Sequence, residues 1–132
     1  MPSDSSKGII DLASPWPVGE TVDRIVAILA TKKIKLFARI DQAAEAASVG
    51  LTLRPTVLLI FGDPAKGTPL MVSHPSLAID LPIKALVWEA KPGEVYVSLN
   101  APDFLQQRHQ LPMAPFAEVV QLFTMLLKMP GL

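Results

Sequence analysis

A chain of 132 residues fits one domain, and at that length folding buries roughly two-thirds of the surface the unfolded form exposes, so no disulfide or metal staple is needed. Its twelve basic and twelve acidic side chains cancel and are scattered, leaving no electrostatic footprint for nucleic acid, and the lack of cysteine excludes disulfides, thiolate catalysis and cysteine-based zinc sites. Half the residues are hydrophobic and only 18% are charged; this surplus of apolar surface predicts a subunit interface, most simply that of a symmetric homodimer.

Residues 1–7 carry no apolar run long enough for a signal sequence, and no window approaches the apolar length that spans a membrane. The expectation is a flexible segment over 1–7 ahead of a single domain over 8–132, in a soluble cytoplasmic protein with no membrane partner.

The β-branched stretch 8–13 (GIIDLA) reads as a first strand, stopped by Ser14-Pro15-Trp16-Pro17. Val22, Ile25, Val26 and Leu29 recur at helical spacing and predict an amphipathic helix over 20–32. Ile34, Leu36, Ala38 and Ile40 alternate as a second strand, after which Asp41 is placed to cap an Ala-rich helix over 42–49 closed by Gly50. The unbroken run Val57-Leu58-Leu59-Ile60-Phe61 predicts a central strand over 56–61, buried on both faces. Thr68-Pro69 resembles an N-cap and N1 pair opening a short helix over 70–73. Residues 83–99 form a hairpin around the type II turn Lys91-Pro92-Gly93-Glu94. Asp103 is placed to cap a helix through Arg108, and Phe116, Val119, Val120, Phe123 and Leu127 line a last helix over 114–128, ended by Pro130 and Gly131. Strands and helices so mixed predict an α+β fold, a mostly antiparallel sheet with helices packed on one face.

Gly62 and Gly67 are spaced as in a phosphate-binding P-loop, but Lys66 precedes Gly67 and Pro64 removes an amide donor, so nucleotide hydrolysis is not expected. Amides of Gly67 and Thr68 at a helix start would still suit a small anion. Arg54, at the head of an apolar strand, needs a partner to offset its desolvation, and Asp41 and Asp80 are the natural candidates. Asp63 reads as a turn residue. His74 and His109 show no metal-ligand spacing, so each is expected to be solvated or capping, with no metal and no cofactor.

Six ordered strings carry a family resemblance: Ile40-Asp41-Gln42-Ala43-Ala44, Leu53-Arg54-Pro55-Thr56, Ile60-Phe61-Gly62-Asp63-Pro64, Gly67-Thr68-Pro69-Leu70-Met71, Asp80-Leu81-Pro82 and Arg108-His109. From about residue 10 to 111 the chain resembles the domain of unknown function 302 family. The resemblance implies a β-α-β4-α, TATA-binding-protein-like sheet, usually dimeric, and it implies no activity; a fold shared with a DNA-binding protein does not warrant DNA binding. Gln42 stands where family members often carry His, and Asp63 where Asn is common, so any imidazole chemistry at position 42 is absent here. The residues it carries over as ligand-binding candidates are Asp41, Arg54, Thr56, Gly62, Gly67, Thr68 and Asp80.

The function expected is a homodimeric binding module taking a small anionic or carbonyl-bearing ligand near the 62–68 loop, with Arg54 supplying charge and loop amides supplying orientation. One alternative is an enzyme with Asp41 or Asp80 as general base and Arg54 with loop amides holding an oxyanion. Another is a structural or regulatory subunit that binds a different protein.

Overall fold

The computed structural model describes residues 7–129. Five strands, Ile9–Ser14 (β1), Lys35–Asp41 (β2), Thr56–Gly62 (β3), Ile83–Lys91 (β4) and Glu94–Asn100 (β5), form one sheet in the order β1-β5-β4-β3-β2. Every neighbouring pair is antiparallel. Helices Val18–Thr31 (α1), Gln42–Ser48 (α2), Pro64–Ser73 (α3), Pro102–His109 (α4) and Ala117–Leu127 (α5) complete the α+β fold, with a 3-10 helix Pro75–Ile79 after α3.

The period-two alternation of the strands decides which face is covered. Val57, Leu59 and Phe61 of β3, Ala85 and Val87 of β4, and Val95, Val97 and Leu99 of β5 point to one side and are buried. Against them pack Val22, Ile25 and Leu29 of α1 and Val119, Phe123, Leu126 and Leu127 of α5. The Phe61 and Phe123 rings lie 5.6 Å apart at the centre of this layer. Each such fully buried side chain stabilises the fold by about 1.5–3 kcal/mol through the area it removes from water.

The opposite face is not sealed in the same way. The run from Val57 to Phe61 does not reach burial on both sides: Leu58 and Ile60 are half-buried, as are Leu86 and Trp88 on β4. The β3–β4 register sets Leu58 opposite Leu86 and Thr56 opposite Trp88, so these apolar side chains form a band across the open face. Trp88 stacks obliquely on Tyr96 with centroids 5.5 Å apart, and its Nε1 donates to Ser98 Oγ at 2.8 Å.

Element starts differ from expectation for reasons of backbone chemistry. Pro17 caps α1 and its carbonyl receives both the Thr21 amide and the Thr21 hydroxyl, so the helix begins two residues before 20. Proline at N1 draws α4 back to Pro102, which leaves Asp103 inside the first turn, and Ala101 rather than Asp103 is the cap. Phe116 adopts a left-handed backbone, φ +63°, so α5 starts only at Ala117. Asp41 caps α2 as expected, accepting the Ala44 amide at 2.9 Å, and Gly50 supplies the left-handed closure at φ +78°. The hairpin turn is formed as expected, with Gly93 at φ +81°. Pro130 and Gly131, expected to end the last helix, and residues 1–6 of the N-terminal segment lie outside the described residues.

Candidate functional site

The largest departure lies at residues 62–73, where a loop and a short helix were expected. Asp63 rather than Thr68 is the N-cap, accepting the Ala65 amide at 3.0 Å, and Pro64 takes the N1 position, so α3 swallows the loop and carries Pro69 in its interior. Both Lys66 N and Gly67 N donate to the Asp63 carbonyl, at 3.0 and 2.9 Å. Since Pro64 has no N–H, the amides expected to hold an anion are absent or engaged, and the Asp63 carboxylate already occupies the helix start.

What α3 provides instead is a wall. Pro64, Gly67, Thr68 and Met71 fall at i, i+3, i+4 and i+7 and face a cavity of about 380 Å³. Gly62 and Asp63 close one end, while Leu81, Pro82 and Ile83 form the opposite side as the chain enters β4. Phe37 reaches the cavity from a bulge in β2, where register shifts between Leu36 and Ala38, and Phe116 completes the wall. An extra residue on one strand re-aims the side chain it carries, and here it turns an aromatic ring toward Gly62.

Both glycines matter through the space they leave. A Cβ added at Gly67 would meet Leu81 Cδ1 at 3.5 Å and Met71 Cε at 3.9 Å, and one at Gly62 would meet Pro82 Cβ at 3.7 Å and Phe37 Cε2 at 3.9 Å. These are ordinary van der Waals distances to residues of the cavity wall, so a methyl group fits at either position and takes up part of the hollow, and a larger side chain would fill more of it. The only polar side chains on the wall are Asp63 and Thr68, and no Lys, Arg or His lines it. A second hollow of about 370 Å³ shares Gly62, Asp63, Ile83 and Phe116 with the first and carries Lys32 and Lys66 on its rim. Phe116 thus lines both hollows from a backbone conformation that a bulky aromatic rarely adopts.

Of the residues expected to form one site, Gly62, Gly67 and Thr68 line the cavity. Asp41 is engaged as the α2 cap, and Thr56 Oγ1 donates to the Arg54 carbonyl at 2.9 Å. Arg54 does not pair with Asp41 or Asp80: its guanidinium lies 3.5 Å from Glu89. The β3–β4 register explains this, because pairing Thr56 with Trp88 and donating the Glu89 amide to the Pro55 carbonyl brings residue 89 beside residue 54. Sequence alone does not give that register.

Asp80 belongs to a separate cluster. Its Oδ2 lies 2.5 Å from His109 Nε2 and its Oδ1 lies 3.7 Å from Arg108, while His109 Nδ1 lies 2.7 Å from Ser76 Oγ. The His109 side chain is only 3% exposed, so this residue is neither solvated nor a cap. It is buried with a hydrogen-bond partner at each ring nitrogen. The signal for it was present in the Asp80-Leu81-Pro82 and Arg108-His109 strings of the family resemblance, which the fold brings together. Phe116 was expected on the apolar face of the last helix, whereas Phe37 lies off the Leu36–Ala38 alternation of its strand and Met71 was marked only by the family string from Gly67.

Relatives share this architecture. Residues 10–129 match the model of the family described as Domain of unknown function DUF302. The crystal structure of an uncharacterized conserved DUF302 protein from Bacillus stearothermophilus superposes with a TM-score of 0.76 over 91% of this chain and 95% of that one, at 16% identity. Curated proteins named Fluoride-specific ion channel FluC 1, from Brucella suis and Brucella abortus, are each 40% identical over 114 residues, or 86% of this chain. The chain spans under half of their length, 45% and 42%. None of the described helices is long and apolar enough to cross a membrane. With the family model matched across nearly the whole sheet and its helices, this chain belongs to the DUF302 family.

Proposed function

We propose that the domain is a homodimeric binding module whose cavity takes a small, mostly apolar molecule bearing one carbonyl or hydroxyl group. The observation that carries this reading is the apolar lining of the cavity, Phe37, Met71, Leu81, Pro82, Ile83 and Phe116, with Gly62 and Gly67 adding no side chain to fill it. Gly67 sits inside a helix, where glycine costs about 1 kcal/mol relative to alanine, and the hollow it leaves offsets nothing unless something fills it. The Thr68 hydroxyl, without a hydrogen bond among the described residues, is the polar group available to orient a ligand carbonyl. The charge of the wall favours a neutral ligand over the anion first expected: it holds the Asp63 carboxylate, no cation, and no unused amide from the start of α3.

The same wall argues against reading the fluoride conduction named for the Brucella proteins into this chain, since a small anion meets no positive group there. An acid-base site built on Arg54 with Asp41 or Asp80 has little support, because each of the three is engaged with a different partner.

The homodimer rests on a second observation. All residues from 47 to 55 are exposed, and among them Val49, Leu51 and Leu53 stand 71%, 66% and 46% exposed. They follow α2, a helix of seven residues with none buried. With the partly buried Leu58 and Leu86 they supply apolar surface of the kind that a symmetric interface removes from water.

The test of the cavity is melting temperature against a series of short ketones, alcohols, carboxylates and phosphates. A ligand at about 100 times its Kd adds roughly 2.7 kcal/mol, a shift of several degrees for a domain of this size. Stabilisation by the neutral series, lost in Gly67→Leu, is the expected result. Equal stabilisation of Gly67→Leu, or none in the wild type, would remove the cavity from the function.

A further inference from the structure

The chain Ser76, His109, Asp80 is unused by the cavity, and its geometry is that of an activated hydroxyl. An ionised carboxylate only accepts, so with Asp80 at His109 Nε2 the ring proton is assigned to Nε2. Nδ1 then presents its lone pair to the Ser76 hydroxyl, 2.7 Å away. The carboxylate fixes the tautomer and stabilises an imidazolium, the division of labour of serine hydrolases with the two ring nitrogens exchanged. Burial keeps this alignment: His109 is 3% and Asp80 15% exposed, and Arg108 stands at the second carboxylate oxygen. Ser76, by contrast, is an exposed residue, with its base on the buried side of it. As a brace between the 3-10 helix and α4 the Ser76 bond also satisfies the buried Nδ1, and what adds a chemical role is that this partner belongs to an exposed residue.

We propose that Ser76 is the nucleophile of an acyl-transfer site that cleaves activated carboxylic esters, with His109 as the catalytic base and Asp80 and Arg108 as positioning residues. Ser76 Oγ bonds to the acyl carbon as its proton passes to His109 Nδ1. The bond from that carbon to the leaving oxygen breaks, and the leaving alcohol takes the proton from Nδ1. Water then attacks the Ser76 ester, giving a proton to Nδ1; the carbon–Oγ bond breaks, Ser76 regains the proton, and the acid departs. Ester and water are consumed, acid and alcohol are formed, and no oxidant or cofactor enters.

The experiment is incubation of the full chain with p-nitrophenyl acetate, following nitrophenolate release and mapping acetylated peptides by mass spectrometry. Release with acetyl on Ser76 is expected, and Ser76→Ala should abolish both, with a melting temperature lowered only by the loss of the one hydrogen bond to His109. Ser76→Cys should keep acylation, now on the thiol. His109→Gln should slow acylation by about 100-fold or more if it folds, and the two Ser76 variants decide the matter if it does not. Nitrophenolate release unchanged in Ser76→Ala, or acetyl found on lysines alone, would overturn the proposal.

Discussion

The two faces of the sheet are built from the same kinds of residue and end in different states. On one, Phe61, Val87 and Val97 disappear beneath α1 and α5. On the other, Leu58, Ile60, Leu86 and Trp88 are only partly buried, with a polar chain from Trp88 through Ser98 to Asp11 at their side. Alternation along a strand normally separates apolar from polar, so a strand apolar at every position signals cover on both sides. The described helices cover one. The difference teaches that the composition of β3 answers to something beyond the described fold, and a second copy of the chain is the cover proposed above.

The sharpest contrast comes from truncating one residue on each face. Phe123→Ala removes a fully buried ring packed 5.6 Å from Phe61 and should cost about 3–5 kcal/mol in urea unfolding. Leu58→Ala, measured at low protein concentration where any dimer dissociates, should cost far less, about 1 kcal/mol, because its side chain is only partly buried. Equal costs at every concentration would erase the distinction between the faces.

A charge on the open face tests the cover directly. Leu58→Lys should leave the monomer folded and abolish the dimer in light scattering, and the wild-type melting temperature should rise with protein concentration where that of the variant does not. A wild type that is monomeric throughout would send the search to a different protein partner.

Much of this frame was legible in the chain. The periodicity of Val22, Ile25 and Leu29 gave α1, the Pro92-Gly93 pair gave the hairpin, and Asp41 gave the cap of α2, because each signal is local and acts within one turn or one strand. The candidate site was only partly legible. Gly62, Gly67 and Thr68 lie within seven residues and reach the same cavity, but Asp63-Pro64 and Thr68-Pro69 are both valid cap and N1 pairs, and the helix starts at the first. Arg54 and Glu89, or His109 and Ser76, are far apart in sequence and meet through strand register and the placement of α4. Those are long-range consequences of the fold, invisible to any window of residues.

Within the polar chain on the open face, Trp88→Phe keeps the ring stack on Tyr96 and deletes only the Nε1 donor to Ser98. The loss should be about 1 kcal/mol in the same unfolding assay, the net worth of one hydrogen bond. A much larger loss would show that the covered and open faces are coupled through β5.

The smallest effect belongs to the edge of that face, where Tyr96 OH donates to Glu94 at 2.8 Å. That hydrogen bond favours the ionised carboxylate and holds Glu94 below its ordinary range, with Lys91 acting in the same direction, while it raises Tyr96 above the ordinary phenol value. The signs then separate. A carboxylate lowered on folding stabilises above its unfolded pKa and loses that contribution as pH falls through the folded value, whereas a phenol raised on folding stabilises below its unfolded pKa and loses it as pH rises through the folded value. Tyr96→Phe should therefore return Glu94 toward its ordinary range in an NMR titration of its side-chain carboxyl, and the variant should lose less stability than the wild type on acidification. Were Glu94 to titrate identically in Tyr96→Phe, the Lys91 ammonium, 3.4 Å away, would be the dominant influence on it instead of the phenol.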